Sequence, residues 1–180
     1  SLLRRGPVQQ NHADATADAM RAAAKTHGPS VVRVQLTSTL TLERLPGVGK
    51  GARRTHEISI PGVVVDSKGL VVFPARSLDP AAGAFALLGG RASADVLSVR
   101  VVGSDGQIRE AKWLGTDPKS QLAFVRIGSV GQKGLAPIAW TTTTAALGDP
   151  LLVVSLTPSA LGNTVRVDRS RVAFADAKAL

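Results

Sequence analysis

Read for the alternation of apolar and polar side chains, the chain resolves into short extended runs separated by glycine-bearing turns. The clearest stretch is Ile58 to Asp79, ISIPGVVVDSKGLVVFPARSLD. Val63 to Val65 form one apolar run, Asp66-Ser67-Lys68-Gly69 a tight turn, and Leu70 to Phe73 the return run. β-Branched residues on both sides of a Gly-containing turn predict a buried β-hairpin. Ser30 to Thr37, SVVRVQLT, alternates and predicts a strand with one face in water. Val96 to Val102 and Gln107 to Leu114 read as two strands joined by the turn Gly103-Ser104-Asp105-Gly106. Leu122 to Ile127 reads as another, after the turn Gly115-Thr116-Asp117-Pro118. The segment up to Ile127 thus supplies about six strands, enough for a small barrel.

Around this framework the pattern changes. Residues 1–13 lack periodicity and are expected to form a flexible lead-in. Asp14 to His27 is Ala-rich and predicts a short helix, capped by Asp14 and ended by Gly28-Pro29. Thr41 to Thr55 reads as a basic surface loop and Pro80 to Ala94 as a connecting segment. After a loop-like stretch at 128–134, strands are expected at Ile138 to Thr141, Leu151 to Leu156 and Thr164 to Ala175. Three strands cannot close a second barrel. The expected organisation is therefore a lead-in at 1–13, the helix and first barrel at 14–127, and a partial second barrel at 128–180.

Composition adds constraints. With 3% aromatic residues and no Tyr, the core must be built from Val, Leu, Ile and Ala. No Cys is present, so disulfide and thiol chemistry are excluded, and no apolar run is long enough to span a bilayer as a helix. The net charge of +9 favours anionic partners in general. The basic residues are scattered and lack aromatic stacking partners, so a solvated basic surface is expected rather than a nucleic-acid site. Lys50, Arg53 and Arg54 in the first loop, with Arg166, Arg169 and Arg171 near the end, are the residues an anion would find.

Several segments, in order and spacing, resemble the HtrA/Deg branch of trypsin-like serine proteases. Gly28-Pro29-Ser30-Val31-Val32 resembles the family's entry into its first strand, and Gly62 to Asp66 with Lys68 to Val72 the strand pair before the catalytic histidine. Val99 to Leu114 resembles its next hairpin. Gly115 to Ile127 resembles the segment that carries the catalytic aspartate, and Leu147 to Pro158 the opening of the second barrel. The likeness spans about Gly28 to Ala175. It implies an all-β fold: a trypsin-like antiparallel β-barrel with a short N-terminal helix and an incomplete second barrel.

The same resemblance locates the departures. At the position of the family's histidine stands Arg76, whose guanidinium stays protonated and cannot act as a general base. At the position of its aspartate stands Gln121, which has no charge to stabilise an imidazolium. A hydrogen bond between the two would leave an inert polar patch. The Gly-Asn-Ser-Gly-Gly pattern of the nucleophile and oxyanion hole is absent from the chain.

No other constellation replaces the triad. His56, between Thr55 and Glu57, reads as a strand-edge residue, and His12 and His27 as surface or helix-end residues. Three His without Cys match no recurring metal-ligand spacing, so neither metal nor cofactor is expected. Asp66, Asp95, Asp105 and Asp117 are read as turn residues, and Trp113 and Trp140 as core or barrel-seam residues.

The expected function is a catalytically inactive, protease-like module that binds a protein or an extended peptide, with no triad proteolysis. One alternative is the N-terminal part of a longer protein whose second barrel is completed by another segment or chain. A second is a basic anion-binding module. Self-association would be one way to cover open strand edges. The first residue is Ser rather than Met, which fits a processed chain, and an extracytoplasmic location is expected.

Overall fold

The computed structural model describes residues 7–44, 52–78, 91–128, 134–141 and 143–173, with the side chains of 7–14, 40, 42–44, 52–54, 91–94 and 159 outside the description. Helix α1 (Pro7–His27) leads into β1 (Val31–Arg44), β2 (Ala52–Val64) and β3 (Leu70–Pro74). β4 (Arg91–Gly103), β5 (Ile108–Asp117) and β6 (Leu122–Ile127) follow, and then β7 (Pro150–Leu156) and β8 (Val165–Arg171). The fold is all-β apart from the helix at its start.

Strands β1 to β6 form a closed antiparallel barrel in the order β1-β2-β3-β6-β5-β4. It consists of two three-stranded meanders, β1-β2-β3 and β4-β5-β6, joined along two seams. One seam pairs β3 with β6, from Leu70 opposite Arg126 to Pro74 opposite Leu122. The other pairs β1 with β4, from Val32 opposite Gly103 to Arg44 opposite Arg91. Closure removes every sheet edge from the barrel.

The interior follows from period-2 alternation. Val32, Val34 and Leu36 of β1 point inward, as do Val71 and Phe73 of β3, Val99 and Val101 of β4, and Ala123, Val125 and Ile127 of β6. Small and β-branched side chains fill a six-stranded barrel, so the scarcity of aromatics is no handicap. Among the described residues Phe73 is the largest fully buried one, with the Trp113 ring 6.3 Å away at a tilt of 52°.

The β2–β3 hairpin forms around the turn read from the sequence. Val65 N–H donates to Leu70 C=O at 2.8 Å, and the Asp66 carboxylate accepts from Leu70 N–H at 2.8 Å. Gly69 sits at φ 79°, and a Cβ there would lie 2.6 Å from the carbonyl oxygens of Ile127 and Gly128. Asp105 likewise accepts a backbone N–H in its turn, and Asp117 accepts those of Lys119 and Ser120, although the expected turn at 115–118 lies later, at 118–121, because Gly115 to Asp117 pair with β6. Asp95 does not follow this reading: it lies within β4, opposite Thr39.

Several boundaries differ from expectation. α1 begins at Pro7, not Asp14, so residues 7–13 are helical rather than part of a flexible lead-in. Proline suits a first helical position because its fixed φ matches and its missing N–H is not needed there. β1 and β2 extend into the expected loop at 41–55, of which 45–51 lie outside the described residues. β4 starts at Arg91, inside the expected connection, of which 79–90 lie outside the described residues. Ile138 to Thr141 forms no strand. It lies against the barrel instead, with Ile138 N–H donating to Val64 C=O at 2.9 Å.

β7 and β8 pair only with each other, as a two-stranded ribbon. The C-terminal end of α1 packs on this ribbon, where a Cβ at Gly28 would meet the Val165 side chain at 3.0 Å.

Two outcomes test this description. Phe73→Ala should lower unfolding free energy by about 3–5 kcal/mol in urea titration, since the barrel wall cannot collapse around the lost ring. Asp105 gives the acid limb. The Arg109 side chain, 2.5 Å away, and Gln107 N–H hold its carboxyl below the ordinary carboxylate value, and partial burial opposes them. A depressed folded value contributes stability that is complete above the unfolded value of about 3.9 and is lost as pH falls through the folded value. Asp105→Asn should therefore flatten the loss of urea midpoint below about pH 4.

Candidate functional site

A closed barrel normally shows water a polar outer face. This one does not along β2, β3 and β6, where the outward positions include Val63, Val72 and Phe124. The unbroken apolar runs VVV and LVVF supply apolar residues to both faces of the hairpin, and strands buried on both faces have this composition. β7 and the 138–140 segment stand over that wall. Between them lies an apolar groove of about 610 Å³, closed on the far side by Ile138, Trp140, Val154 and Leu156. Trp140 is 73% exposed, which corrects its reading as a core or seam residue. Trp113 packs against the core as expected.

The edge of β7 beside the groove has a definite hydrogen-bonding pattern. Thr157 N–H donates to Thr164 C=O and Val172 N–H to Asp149 C=O, so the odd-numbered residues of β7 direct their backbone groups toward β8. In an antiparallel pair the alternation is strict, so Leu152, Val154 and Leu156 direct theirs away. Among the described residues no strand pairs with that side of β7. The side chains there are apolar, with Leu151 and Leu152 each 39% and Val153 47% exposed. β8 is different. Arg166, Asp168, Arg169 and Arg171 place charges along it, a usual protection against strand addition.

One outward group is occupied. Leu156 C=O accepts from Arg33 Nη2 at 2.6 Å, and Arg33 Nη1 donates to Ser59 Oγ at 3.3 Å. Arg33 stands on the outward face of β1, the face read from the sequence as wet, yet it is only 8% exposed because the end of the ribbon covers it. Its Nε has no partner, and among the described residues no carboxylate pairs with it. Sequence reading missed this residue. A lone Arg in an alternating strand gives no sign that a distant segment will cover it.

The sequence-singled positions Arg76 and Gln121 are brought together. Ala75 N–H donates to Gln121 C=O at 2.9 Å, at the end of the β3–β6 seam. Their side chains do not bond to each other. Arg76 is exposed, and Gln121 Nε2 donates to Pro118 C=O at 2.7 Å from a residue at φ 58°. His56 lies within β2, opposite Ser38, and its Nε2 is 3.2 Å from the buried Ser38 Oγ. A polar pair thus sits between the strands toward one end of the barrel.

The basic cluster is dispersed. Lys50 lies outside the described residues, as do the side chains of Arg53 and Arg54. By alternation Arg166 projects from the opposite face of β8 to Arg169 and Arg171. Arg166 pairs with Asp168 at 2.8 Å, and Arg171 donates to Gly148 C=O at 2.9 Å. His12 lies outside the described side chains, and among the described residues no three His, Asp or Glu gather as a metal site would require. No described helix is long and apolar enough to cross a membrane. No family model matches the chain, and no curated protein matches it in sequence.

Hydrogen exchange reads the β7 edge directly. The amides of Leu152 and Val154 should exchange at least about tenfold faster than those of Val153 and Ser155, because only the latter are held by β8. Equal protection of all four would show the edge to be covered.

Proposed function

We propose that the chain is a non-catalytic, trypsin-like barrel of the HtrA/Deg kind that captures an extended peptide or protein segment as an added strand on β7. The observation that carries this reading is the apolar groove of about 610 Å³ beside an unpaired strand edge. Strand addition uses both features: backbone pairing supplies general affinity, and alternate side chains entering a pocket supply selectivity. The incoming backbone would pair with Leu152 and Val154, and every second side chain would enter the groove against Val72 and Phe124.

Support for the protease-like ancestry is the closed six-stranded barrel, together with the meeting of positions 75–76 and 121 at one end of a seam. The non-catalytic reading rests on residue chemistry. Arg76 cannot take a proton from a nucleophile, and Gln121 is turned to its own loop.

A second reading has its own observation. Leu151 and Val153 are exposed on β7, as are Leu147 before it and Leu161 in the turn that joins it to β8, more apolar surface than a two-stranded element tolerates alone. Under that reading the added strand comes from another segment of a longer protein or from a companion chain. Native mass spectrometry identifies the companion-chain case, which alone predicts a stoichiometric partner.

The test is fluorescence polarisation with a labelled, amidated hexapeptide of alternating valine and threonine. Val154→Pro removes one outward N–H and leaves the β8 side of β7 untouched, as proline is tolerated on an edge. It should weaken binding about tenfold, the value of one backbone hydrogen bond, with an unchanged circular dichroism spectrum. Unaltered affinity in this variant would refute strand addition at β7.

A further inference from the structure

We propose, building on the strand-capture reading above, that the captured segment is acidic at one end, and that its side-chain carboxylate completes the coordination of Arg33. A guanidinium has five N–H donors in a rigid fork suited to a carboxylate. In Arg33, among the described residues, two acceptors, Leu156 C=O and Ser59 Oγ, take up this capacity and none faces Nε. The residue is more than nine-tenths buried and has no carboxylate partner among the described residues. Buried charges are ordinarily paired, because leaving water without a counter-charge is costly.

The position of Arg33 says where the counter-charge comes from. Its cross-strand neighbour Pro61 and its acceptor Leu156 both line the apolar groove, so the guanidinium sits behind the rim at the Leu156 end. Because the Leu156 carbonyl is already taken, an added strand can pair with Leu152 and Val154 and must stop there. Its end residue then lies next to Arg33. Antiparallel addition, the more stable pairing and the one already used by β8, puts the N-terminal end of the segment at that point. The carboxylate must then belong to a side chain, since no chain terminus there carries one.

Charge excludes the simplest rival. A second copy of this chain carries the same +9, and the carboxylate that precedes its uncharged run Pro150 to Leu156, Asp149, already accepts from Ala146 N–H at 2.7 Å. Among the described residues the groove lining contains no charged side chain, so an apolar body with one acidic end matches both parts of the site.

Three labelled hexapeptides test this on the full chain by fluorescence polarisation. The first alternates glutamate, valine and threonine with glutamate at its first position and an amidated end. The second has glutamine for glutamate. The third is the glutamine peptide with a free carboxyl end. The glutamate peptide should bind at least about tenfold more tightly than the amidated glutamine peptide, as expected for a charge-assisted hydrogen bond. Arg33→Met should erase that difference, and Arg33→Lys should restore part of it. The comparison of peptides on the unaltered chain stands even where a variant is too unstable to use. Equal binding of all three peptides would leave strand capture standing and overturn the role of Arg33. Preference for the free-acid peptide alone would overturn the antiparallel, side-chain assignment. No binding by any peptide, with the Leu152 and Val154 amides still unprotected, would overturn strand capture and this inference together.

Discussion

Strand β1 carries the constraint on which the rest of the structure depends. It is hydrogen-bonded along both edges, to β2 over Val31–Leu42 and to β4 over Val32–Arg44. The second of these pairings closes the barrel. It joins residues about sixty positions apart, so its loop-closure entropy must be repaid by burial. The repayment lies on the inward face, where Val32, Val34 and Leu36 meet Ile60, Val99 and Val101. Without closure those side chains and two sheet edges would face water.

The outward face of the same strand does a different task. Arg33 reaches across to the carbonyl of Leu156 and so ties the ribbon to the barrel over 123 residues of sequence. Helix α1 also packs on the ribbon, with Gly28, just past its end, against Val165. Ala136 N–H donates to Pro29 C=O and Ile138 N–H to Val64 C=O, which lays the 135–140 segment along the wall. The groove is the space these attachments leave. Its walls are held by backbone hydrogen bonds and one buried cation, and its lining is apolar, so it is shaped before any ligand arrives. Preformed shape lowers the ordering cost of binding.

At the end of the β3–β6 seam stand Arg76, exposed, and Gln121, whose side chain bonds to its own turn. The groove lies along the outer wall of β2, β3 and β6, facing β7. The groove runs along β3 and β6 as far as Pro74 and Leu122, the neighbours of Ala75 and Gln121 at the end of that seam.

By itself the sequence determined the strands of the barrel, its turns and the residues that fill it. These depend on local rules: Val and Leu recur at every second position, and Asp66, Gly69 and Asp105 carry the turns that reverse the chain. Gly69 and Asp66 could be placed because positive φ and side-chain capping are properties of a few neighbouring residues. The start of α1 was misplaced because Pro7 was outweighed by the alanines that follow it. Only the tertiary structure decided which outward faces would be dry. Arg33 looked like a solvated residue in an alternating strand, and Trp140 looked like core, because whether a side chain is covered depends on a segment a hundred or more residues away. The stretch 138–141 looked like a strand, but pairing needs a free edge, and a closed barrel has none to offer. The groove, the free edge of β7 and the unpaired charge of Arg33 arise from the docking of the ribbon on the barrel, a long-range packing event with no local signature.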